Sequence, residues 1–384
     1  MGSMVRVNIN TELLRWARER SGQTPDALLK AFPKLLDWES GELAPTLRQL
    51  EKYATRTRTP FGYFFLDRPP MDQLPIPSFR SVRDNRPEHP SPDLLDTIYD
   101  MLRRQDWMRD HRLTSGWESL DFVGAASIRD ATEEVAESVR KTLRLGRSWA
   151  SHVPSWQAAL AHLRGRAEDA GVLVMVSGIV GNNTHRALDP QEFRGFVLTD
   201  KFAPLVFING ADAKAAQIFS LAHELAHLWF NLSAAFDLRG LQPSEDASEQ
   251  ACNAVAAELL VPRDELSHAW PDARDLVDPF EVLAGQFKVS KIVIARRLLD
   301  LGYITRSQFF DFYEAYINED RAKRAGRTGG DFFVNLDYKI SRPFADAVIA
   351  SAREGSLLYG EAYELVGVGG ETFEKYASRL GWGR

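Results

Sequence analysis

The sequence predicts a mostly helical α+β protein that contains one small antiparallel sheet. Apolar residues recur at helical spacing along most of the chain, which favours amphipathic helices. Short β-rich segments occur between residues 172 and 210, where Gly and Asn separate them. Seven of the nineteen prolines lie between Pro69 and Pro92, and this density excludes a helix there.

Composition indicates a globular protein of more than one domain. The chain has 384 residues, which is long for a single core, and this length favours about two or three domains. Hydrophobic residues make up 44% and charged residues 26%, a balance that disordered chains do not have. The net charge of -6 gives no general affinity for nucleic acids or acidic membranes, so any such binding requires a local patch.

The cysteine content and the hydropathy pattern bear on the cellular location. The single cysteine, Cys252, permits no internal disulfide, and a reducing cytoplasm is the expected compartment. The sequence shows neither a signal peptide nor an apolar run long enough to span a bilayer. We therefore expect a cytoplasmic protein without a membrane partner.

Residues 5–66 are expected to form a separate helical domain. Within it, the run LLDWESGELAPTLRQLEKYA resembles the Trp-Glu-x-Gly…Pro-Thr…Leu pattern of Xre or lambda-repressor helix-turn-helix domains. This resemblance extends over nearly the whole segment. It implies a helix-turn-helix module and makes DNA a candidate partner of residues 5–66.

Two functions of this N-terminal module stay open. Where a recognition helix should offer polar side chains to base edges, the segment FPKLLDW is largely apolar. Residues 5–66 carry ten Lys or Arg and seven Asp or Glu, a modest balance of +3. DNA binding and docking of a protein partner are both retained, and the apolar helix suits docking better.

A Pro-rich connector and a helical lead-in are predicted ahead of the sheet. Residues 67–92 are expected to be extended and semi-rigid, and the segment Pro75 to Arg83 is a candidate for covering a cleft by strand addition. Helices are then expected near residues 93–113, 129–145 and 155–170. The segments VLVMV, FRGFVLTD and PLVFING follow as two or three antiparallel strands.

The segment FSLAHELAHLWF, residues 219–230, carries the clearest chemical motif. It lacks Gly and Pro and is rich in Leu and Ala, so it is predicted to be a helix in which His223 and His227 share one face. Two imidazoles one turn apart can bind one Zn²⁺, and Glu224 is placed to take a proton from water at the metal. The alternative is a pair of core histidines, with Glu224 in an ordinary helical ion pair.

A catalytic zinc site needs a third protein ligand as well as an open position. The segment PSEDASEQACNAVAAELLVP is expected to be a helix near residues 245–260, and Glu249 projects from it toward the motif helix. Glu249 is the expected third ligand, and Asn253 is expected to hold one imidazole by its far N–H. Glu245 and Asp246 lie in the first turn, where the helix dipole favours carboxylates without any metal.

Together, these two segments resemble the ImmA/IrrE family of metallopeptidases, in which a His-Glu-x-x-His helix precedes a helix ending in Ala-x-Leu-Leu-Met-Pro. Val261 stands in place of the usual methionine. The similarity covers roughly residues 170–302 and implies a zincin-like, gluzincin-type domain within residues 93–302. The resemblance implies that His223, His227 and Glu249 are the metal ligands. It also implies that Glu224 is the catalytic base.

The resemblance also implies a function. Members of the family cleave helix-turn-helix repressors or related proteins, so the expected partner is a protein substrate such as a repressor or antitoxin. Transcription regulation, stress response and toxin–antitoxin control are the implied settings. The alternative is a non-enzymatic regulator or antitoxin with a structural metal site, but such a site has no use for the base Glu224.

The metal and the oxyanion-stabilising residue stay open in part. Zn²⁺ is the expected cofactor and Mn²⁺ is the alternative, because two imidazoles and a carboxylate accept several divalent ions. His185, Arg186 and Arg194 are candidates by position for stabilising the oxyanion, as are Tyr and His residues of the C-terminal part.

The rest of the chain is predicted to be largely helical. The segment DPFEVLAGQFKVSKIVIARRLLDLGYIT is expected to form two short helices joined at Val289-Ser290. Residues 303–384 are expected to form a helical C-terminal domain, which begins with a long charged helix and includes a short strand at FFVN. Cys252 is interpreted as a buried packing residue without a chemical role.

Overall fold

The structure is a computed structural model that describes residues 6–70, 90–232, 234–236, 246–323 and 332–383. Packing divides it into a smaller unit, to which residues 6–70 and 90–99 belong, and a larger unit from residue 100 onward. The described residues form mainly α-helices and one small sheet, so the predicted mostly helical α+β class is confirmed. Glu245, most of the predicted connector and the proposed cover at Pro75 to Arg83 lie outside the described residues.

The smaller unit is built from short, well-capped helices. Its helices are α1 (Thr11–Arg20), α2 (Pro25–Ala31), α3 (Leu35–Ser40), α4 (Leu47–Thr57) and a 3₁₀ helix (Phe61–Phe65). Asn10 and Thr24 accept backbone hydrogen bonds at the starts of α1 and α2, and Thr46 forms a capping box with Gln49 at α4. The buried Tyr53 hydroxyl donates to the Leu14 carbonyl, which ties α4 to α1.

The apolar segment FPKLLDW serves mainly the core of the smaller unit. Phe32, Leu35 and Trp38 are buried, and their rings and side chains pack with Tyr53. Leu36 is well exposed, at 60%, and Pro33 is also exposed. The composition of this segment therefore reflects packing, and it gives little support to an apolar docking surface on α3.

The larger unit surrounds the sheet with helices on both sides. Helix α5 spans Pro92–Thr114, and its residues from Asp100 onward belong to this unit. The helices that follow are α6 (Thr132–Thr142), α7 (Trp156–Asp169), α8 (Lys214–Trp229), α9 (Ala247–Leu260), α10 (Arg263–Ala273), α11 (Pro279–Phe287), α12 (Lys291–Asp300), α13 (Arg306–Lys323), α14 (Phe332–Lys339), α15 (Arg342–Glu354), α16 (Tyr359–Val366) and α17 (Gly370–Arg379), with a 3₁₀ helix at Trp149–His152. No helix within the described ranges is both long and apolar enough to cross a bilayer.

The sheet is mixed, and the prediction of an antiparallel sheet is wrong in this respect. Its strands are β1 (Leu173–Ser177), β2 (Gly195–Leu198), β3 (Leu205–Asn209) and β4 (Ala234–Phe236), in the order β1-β3-β2-β4. Strands β2 and β3 pair antiparallel through a short turn, and β2 pairs antiparallel with β4. Strand β1 pairs parallel with β3 because the long segment between β1 and β2 returns the chain in the opposite direction.

The two faces of the sheet meet different helices. Val174 and Val176 of β1 and Val197 of β2 lie in the core that includes helix α8. Successive residues of a strand point to opposite faces, so Met175 lies on the other side. There its sulfur accepts a hydrogen bond from Arg104 of α5, at 3.3 Å.

The C-terminal helices pack against β1 as part of the larger unit. Arg164 of α7 donates to the carbonyl oxygens of Asp337 (2.6 Å) and Ile340 (2.8 Å). The predicted strand at FFVN is wrong, because these residues begin α14. Helix α10 was not anticipated from the sequence, since Pro262 precedes it and Pro271 lies inside it.

Candidate metal centre

Helix α8, which carries the His-Glu-x-x-His motif, is buried on every face. All its residues from Gln217 to Trp229 are buried, consistent with a helix that is apolar nearly all round. Its start is held by Gln217, whose side-chain amide donates to the carbonyls of Gly210 (3.0 Å) and Asp212 (2.6 Å). The rigid surroundings fix the direction in which the motif side chains point.

Three side chains from α8 and α9 converge on one point. His223 and His227 have their Nε2 atoms 2.9 Å apart. Glu249 approaches from α9, with Oε2 3.2 Å from Nε2 of His223 and Oε1 3.5 Å from Nε2 of His227. In the part of the chain that the structure describes, this is the one group of three or more potential ligands able to hold a metal ion.

The spacing of these atoms fits a single metal ion. Ligand atoms at about 2.0–2.1 Å from a tetrahedral Zn²⁺ lie roughly 3.3 Å from one another. The observed distances of 2.9, 3.2 and 3.5 Å fall around that value. Two imidazole nitrogens and one carboxylate are also a donor set that divalent ions accept. The residues present therefore fit a metal.

The protonation of the two histidines suits ligation. His223 has its Nδ1 3.1 Å from Oδ1 of Asn253, so an N–H donated to this amide oxygen leaves Nε2 as an unprotonated ligand atom. Burial, followed by the neighbouring His223, lowers the pKa of His227 to about 3, so its imidazole is neutral. Nδ1 of His227 has no hydrogen-bond partner among the described residues. Asn253 thus lies where the sequence placed it, beside one of the two imidazoles.

Glu224 is a buried carboxylate that makes no hydrogen bond to the residues that the structure describes. It is 0% exposed, and neither of its oxygens has a hydrogen-bond partner in the described ranges. Burial raises the pKa of Glu224 well above its ordinary value, and the nearby Glu249 raises it further. An unpaired buried acid destabilises a fold, which makes Glu224 a candidate for a chemical role.

Glu249 differs from Glu224 in its surroundings. Burial raises the pKa of Glu249, but the contact with Nε2 of His223 and the charge that His223 and His227 carry when protonated outweigh burial and hold this pKa below its ordinary value. Its side chain is 24% exposed, so the cluster reaches solvent on the α9 side. Asp246 accepts a hydrogen bond from the Ser248 backbone (2.8 Å) as the N-cap of α9, which agrees with the non-metal role expected for it.

The far end of helix α9 is anchored by two arginines. Arg297 of α12 forms a buried ion pair with Glu258 and donates to the Val261 carbonyl at 3.1 Å. Arg140 of α6 donates to the carbonyls of Glu258 and Leu259. Cations at the last carbonyls stabilise a helix end. These contacts, which the sequence did not reveal, fix α9 and with it Glu249.

Gly195, at the start of β2, was also not singled out from the sequence. A Cβ atom placed there would lie 3.1 Å from Oε1 of Glu224. The sequence does contain a signal, because a glycine inside the strand segment FRGFVLTD often marks a close approach by another group.

Three further residues considered from the sequence are not members of the His-His-Glu cluster. Arg194 forms an ion pair with Asp212 at 3.5 Å, ahead of the start of α8. His185 is exposed in the segment between β1 and β2, where its backbone N–H donates to Asn183. Cys252 is fully buried, and burial raises the pKa of its thiol, which agrees with a packing role.

Comparison with known families supports a metallopeptidase-type function for this part of the chain. Residues 167–299 match the model of the IrrE N-terminal-like domain, peptidase family M78, a metal-dependent family. This segment spans β1 to β3, α8 and α9, and thus the complete His-His-Glu cluster. Residues 340–379 match a domain of unknown function, DUF8813. No curated protein matches the chain.

Proposed function

We propose that the protein is a zinc-dependent endopeptidase that cleaves a specific regulatory protein. His223, His227 and Glu249 bind the ion, and Glu224 is the general base. The observation that carries this proposal is the convergence of three ligand atoms next to a buried carboxylate that has no other partner in the described chain. The match to a metallopeptidase family over this segment supports it.

The residues divide the chemistry between them. When bound, a divalent ion supplies Lewis acidity that makes water a nucleophile near neutral pH. Glu224 accepts the proton of the attacking water and returns it to the departing amine. Asn253 orients His223 through Nδ1, and the partly exposed Glu249 closes the ligand set on the solvent side.

The runner-up function is a non-enzymatic regulator or antitoxin with a structural metal site. A purely structural site needs only its ligands, and it usually has four of them. Here the cluster offers three ligands and retains a buried acid beside them. This combination favours catalysis over a structural role.

The proposed metal is Zn²⁺, with Mn²⁺ as the alternative. Two imidazole nitrogens with one carboxylate do not discriminate strongly between these ions. Metal analysis of protein purified without added metal, followed by reconstitution of the metal-free chain with each ion in turn, separates them.

The proposed substrate is a helix-turn-helix repressor or an antitoxin. Its basis is the Xre-like pattern of residues 5–66, joined in one chain to a metallopeptidase-type segment. A protease of this kind requires selectivity, because indiscriminate cleavage in the cytoplasm is harmful. Recognition through the N-terminal module restricts cleavage to one or a few partners.

The test compares cells that express the wild type with cells that express Glu224→Gln. The amide cannot accept the proton, so fragments of the true substrate should occur only with the wild type. An Asp246→Asn variant serves as the matched control, because Asp246 caps α9 without belonging to the cluster. Identical fragment patterns for wild type and Glu224→Gln, with both proteins metal-loaded and equally abundant, would contradict proteolysis.

A further inference from the structure

Gly195 of β2, which has no side chain, lies on the face of the sheet that packs against α8, the helix that carries Glu224. Alternate residues of a strand face the same side, so Gly195 faces the same way as Val197. Val197 is fully buried in the core that includes α8. Gly195 is therefore the glycine of β2 on its α8 face, and it pairs with Ile208 in the neighbouring strand.

The backbone of Gly195 does not require glycine for its conformation. Its φ lies outside the left-handed region, so an L-amino acid could adopt the same backbone. What excludes a side chain is space. A Cβ would lie 2.9 Å from the carbonyl oxygen of Phe207, 3.1 Å from Oε1 of Glu224 and 3.2 Å from Cδ1 of Ile208.

The contact with Glu224 is the one with chemical consequences. The Glu224 carboxylate makes no hydrogen bond within the described residues, so no hydrogen bond from this part of the protein fixes its position. On the sheet side, Gly195 lies next to the carboxylate, and it leaves space there because it has no side chain. A single added methyl group would push the carboxylate away from its present position.

We propose that Gly195 is a positioning residue, whose missing side chain leaves the space that the Glu224 carboxylate occupies beside the His-His-Glu cluster. This inference rests on the proposed function for its catalytic meaning. The steric contact itself does not depend on proteolysis, and it can be tested separately.

The test is a double-mutant cycle in thermal stability on the full chain loaded with one equivalent of Zn²⁺. Gly195→Ala should lower the melting temperature by roughly 3–10 °C in the wild-type background, the range expected for overpacking in a unit of this size. In the Glu224→Ala background the carboxylate is gone, so the decrease in melting temperature caused by Gly195→Ala should be smaller by at least about 2 °C. In the Glu224→Gln background, which keeps the side-chain size, the cost should stay as in the wild type.

Gly178 provides the matched control. A Cβ at Gly178 would also lie 2.9 Å from backbone, at the nitrogen of Ala211, but its nearest atoms do not include Glu224. Gly178→Ala should therefore lower the melting temperature equally in the wild-type and Glu224→Ala backgrounds. This control removes from the comparison the general effect of crowding a neighbouring backbone segment.

Several outcomes would overturn the proposal. If Gly195→Ala leaves the melting temperature unchanged, or lowers it equally in the wild-type and Glu224→Ala backgrounds, the carboxylate does not limit the space at Gly195. If Gly195→Ala fails to fold in the wild-type background, recovery of folding with Glu224→Ala supports the contact, and failure in both backgrounds refutes it.

A kinetic measurement connects the contact to catalysis once a cleaved substrate is in hand. Gly195→Ala should reduce kcat at least tenfold, while KM changes less than about twofold and one metal per chain is retained. A purely structural role of Gly195 would leave kcat of the folded fraction unchanged. Absence of proteolysis by the wild type would refute the proposed function but leave the stability cycle intact.

Discussion

Glu249 completes the candidate metal centre from a second helix, and it is the member of the cluster that reaches solvent. We expect Glu249→Ala to weaken metal binding at least about 100-fold, because only two imidazoles remain. Asp246→Ala should leave the metal content unchanged, since this side chain caps α9. Metal per chain and competition with a chelator measure both. Loss of metal by Asp246→Ala together with retention by Glu249→Ala would show that the third ligand is misassigned.

We expect the buried Glu224 to lower the stability of the folded protein while serving the proposed chemistry. Its pKa in the folded protein lies above its unfolded value, so wild-type stability decreases as pH rises through the folded-state pKa. Metal-free Glu224→Gln protein should therefore be more stable than metal-free wild type at pH 8, by about 1–3 kcal/mol, because the amide neither buries a charge nor has to bind a proton on folding. Calorimetry with a chelator present measures the difference. Higher stability of the wild type at this pH would argue that Glu224 has a structural role.

At the scale of elements, helix α9 depends on the buried pair Arg297–Glu258. Arg297→Met should destabilise the larger unit by about 3–5 kcal/mol, because it leaves Glu258 charged and unpaired in the interior. The control is Arg263→Met, which removes an exposed pair with Glu133 and should cost less than about 1 kcal/mol. Denaturant unfolding of both variants is the measurement, and equal effects would contradict the argument.

The convergence of the three candidate ligands could be predicted because one helical turn relates His223 to His227, and a second amphipathic helix limits where Glu249 can point. The contacts that hold α9 in place could not be predicted from the sequence. Arg140 and Arg297 lie far from α9 in sequence, and only the three-dimensional packing shows that they meet its last carbonyls. Local patterns carry no information about such long-range contacts.

The elements that were predicted wrongly share a physical cause. The parallel pairing of β1 with β3 depends on the route of a long connection, which hydrophobic alternation does not encode. The four residues of FFVN are β-prone, but they open a helix whose packing overrides that preference. Most of the apolar side chains of FPKLLDW are needed by the small core of the N-terminal unit, a demand that composition alone does not reveal.

At the scale of the whole molecule, the N-terminal module is expected to bind DNA weakly or not at all. Its charge balance of +3 over residues 5–66 supports few phosphate contacts, and exposed Leu36 offers no hydrogen bond to a base edge. Titration of the full chain against genomic fragments at physiological salt is the measurement. A specific site bound at about 10⁻⁸ M or tighter would contradict this expectation and favour a regulatory function.

Deletion of residues 1–66 should separate recognition from chemistry. The candidate metal centre lies entirely in the larger unit, so the truncated chain should keep one metal. Cleavage of the true partner should fall at least tenfold through a higher KM, because the recognition module is gone. Casein should be cut poorly by both forms. Unchanged cleavage of the partner by the truncated chain would exclude residues 1–66 from substrate recognition.

The complete burial of helix α8 also affects how the chain folds. A helix that is largely apolar and buried on all sides has no face suited to water, so we expect a folding intermediate that lacks α9 to expose apolar surface. The parallel pairing of β1 with β3 joins residues 32 positions apart, as in Leu173 with Leu205, and such non-local contacts form slowly. We therefore expect aggregation to compete with folding until α9 packs against α8. Since α9 carries Glu249, the three candidate metal ligands come together only at that step.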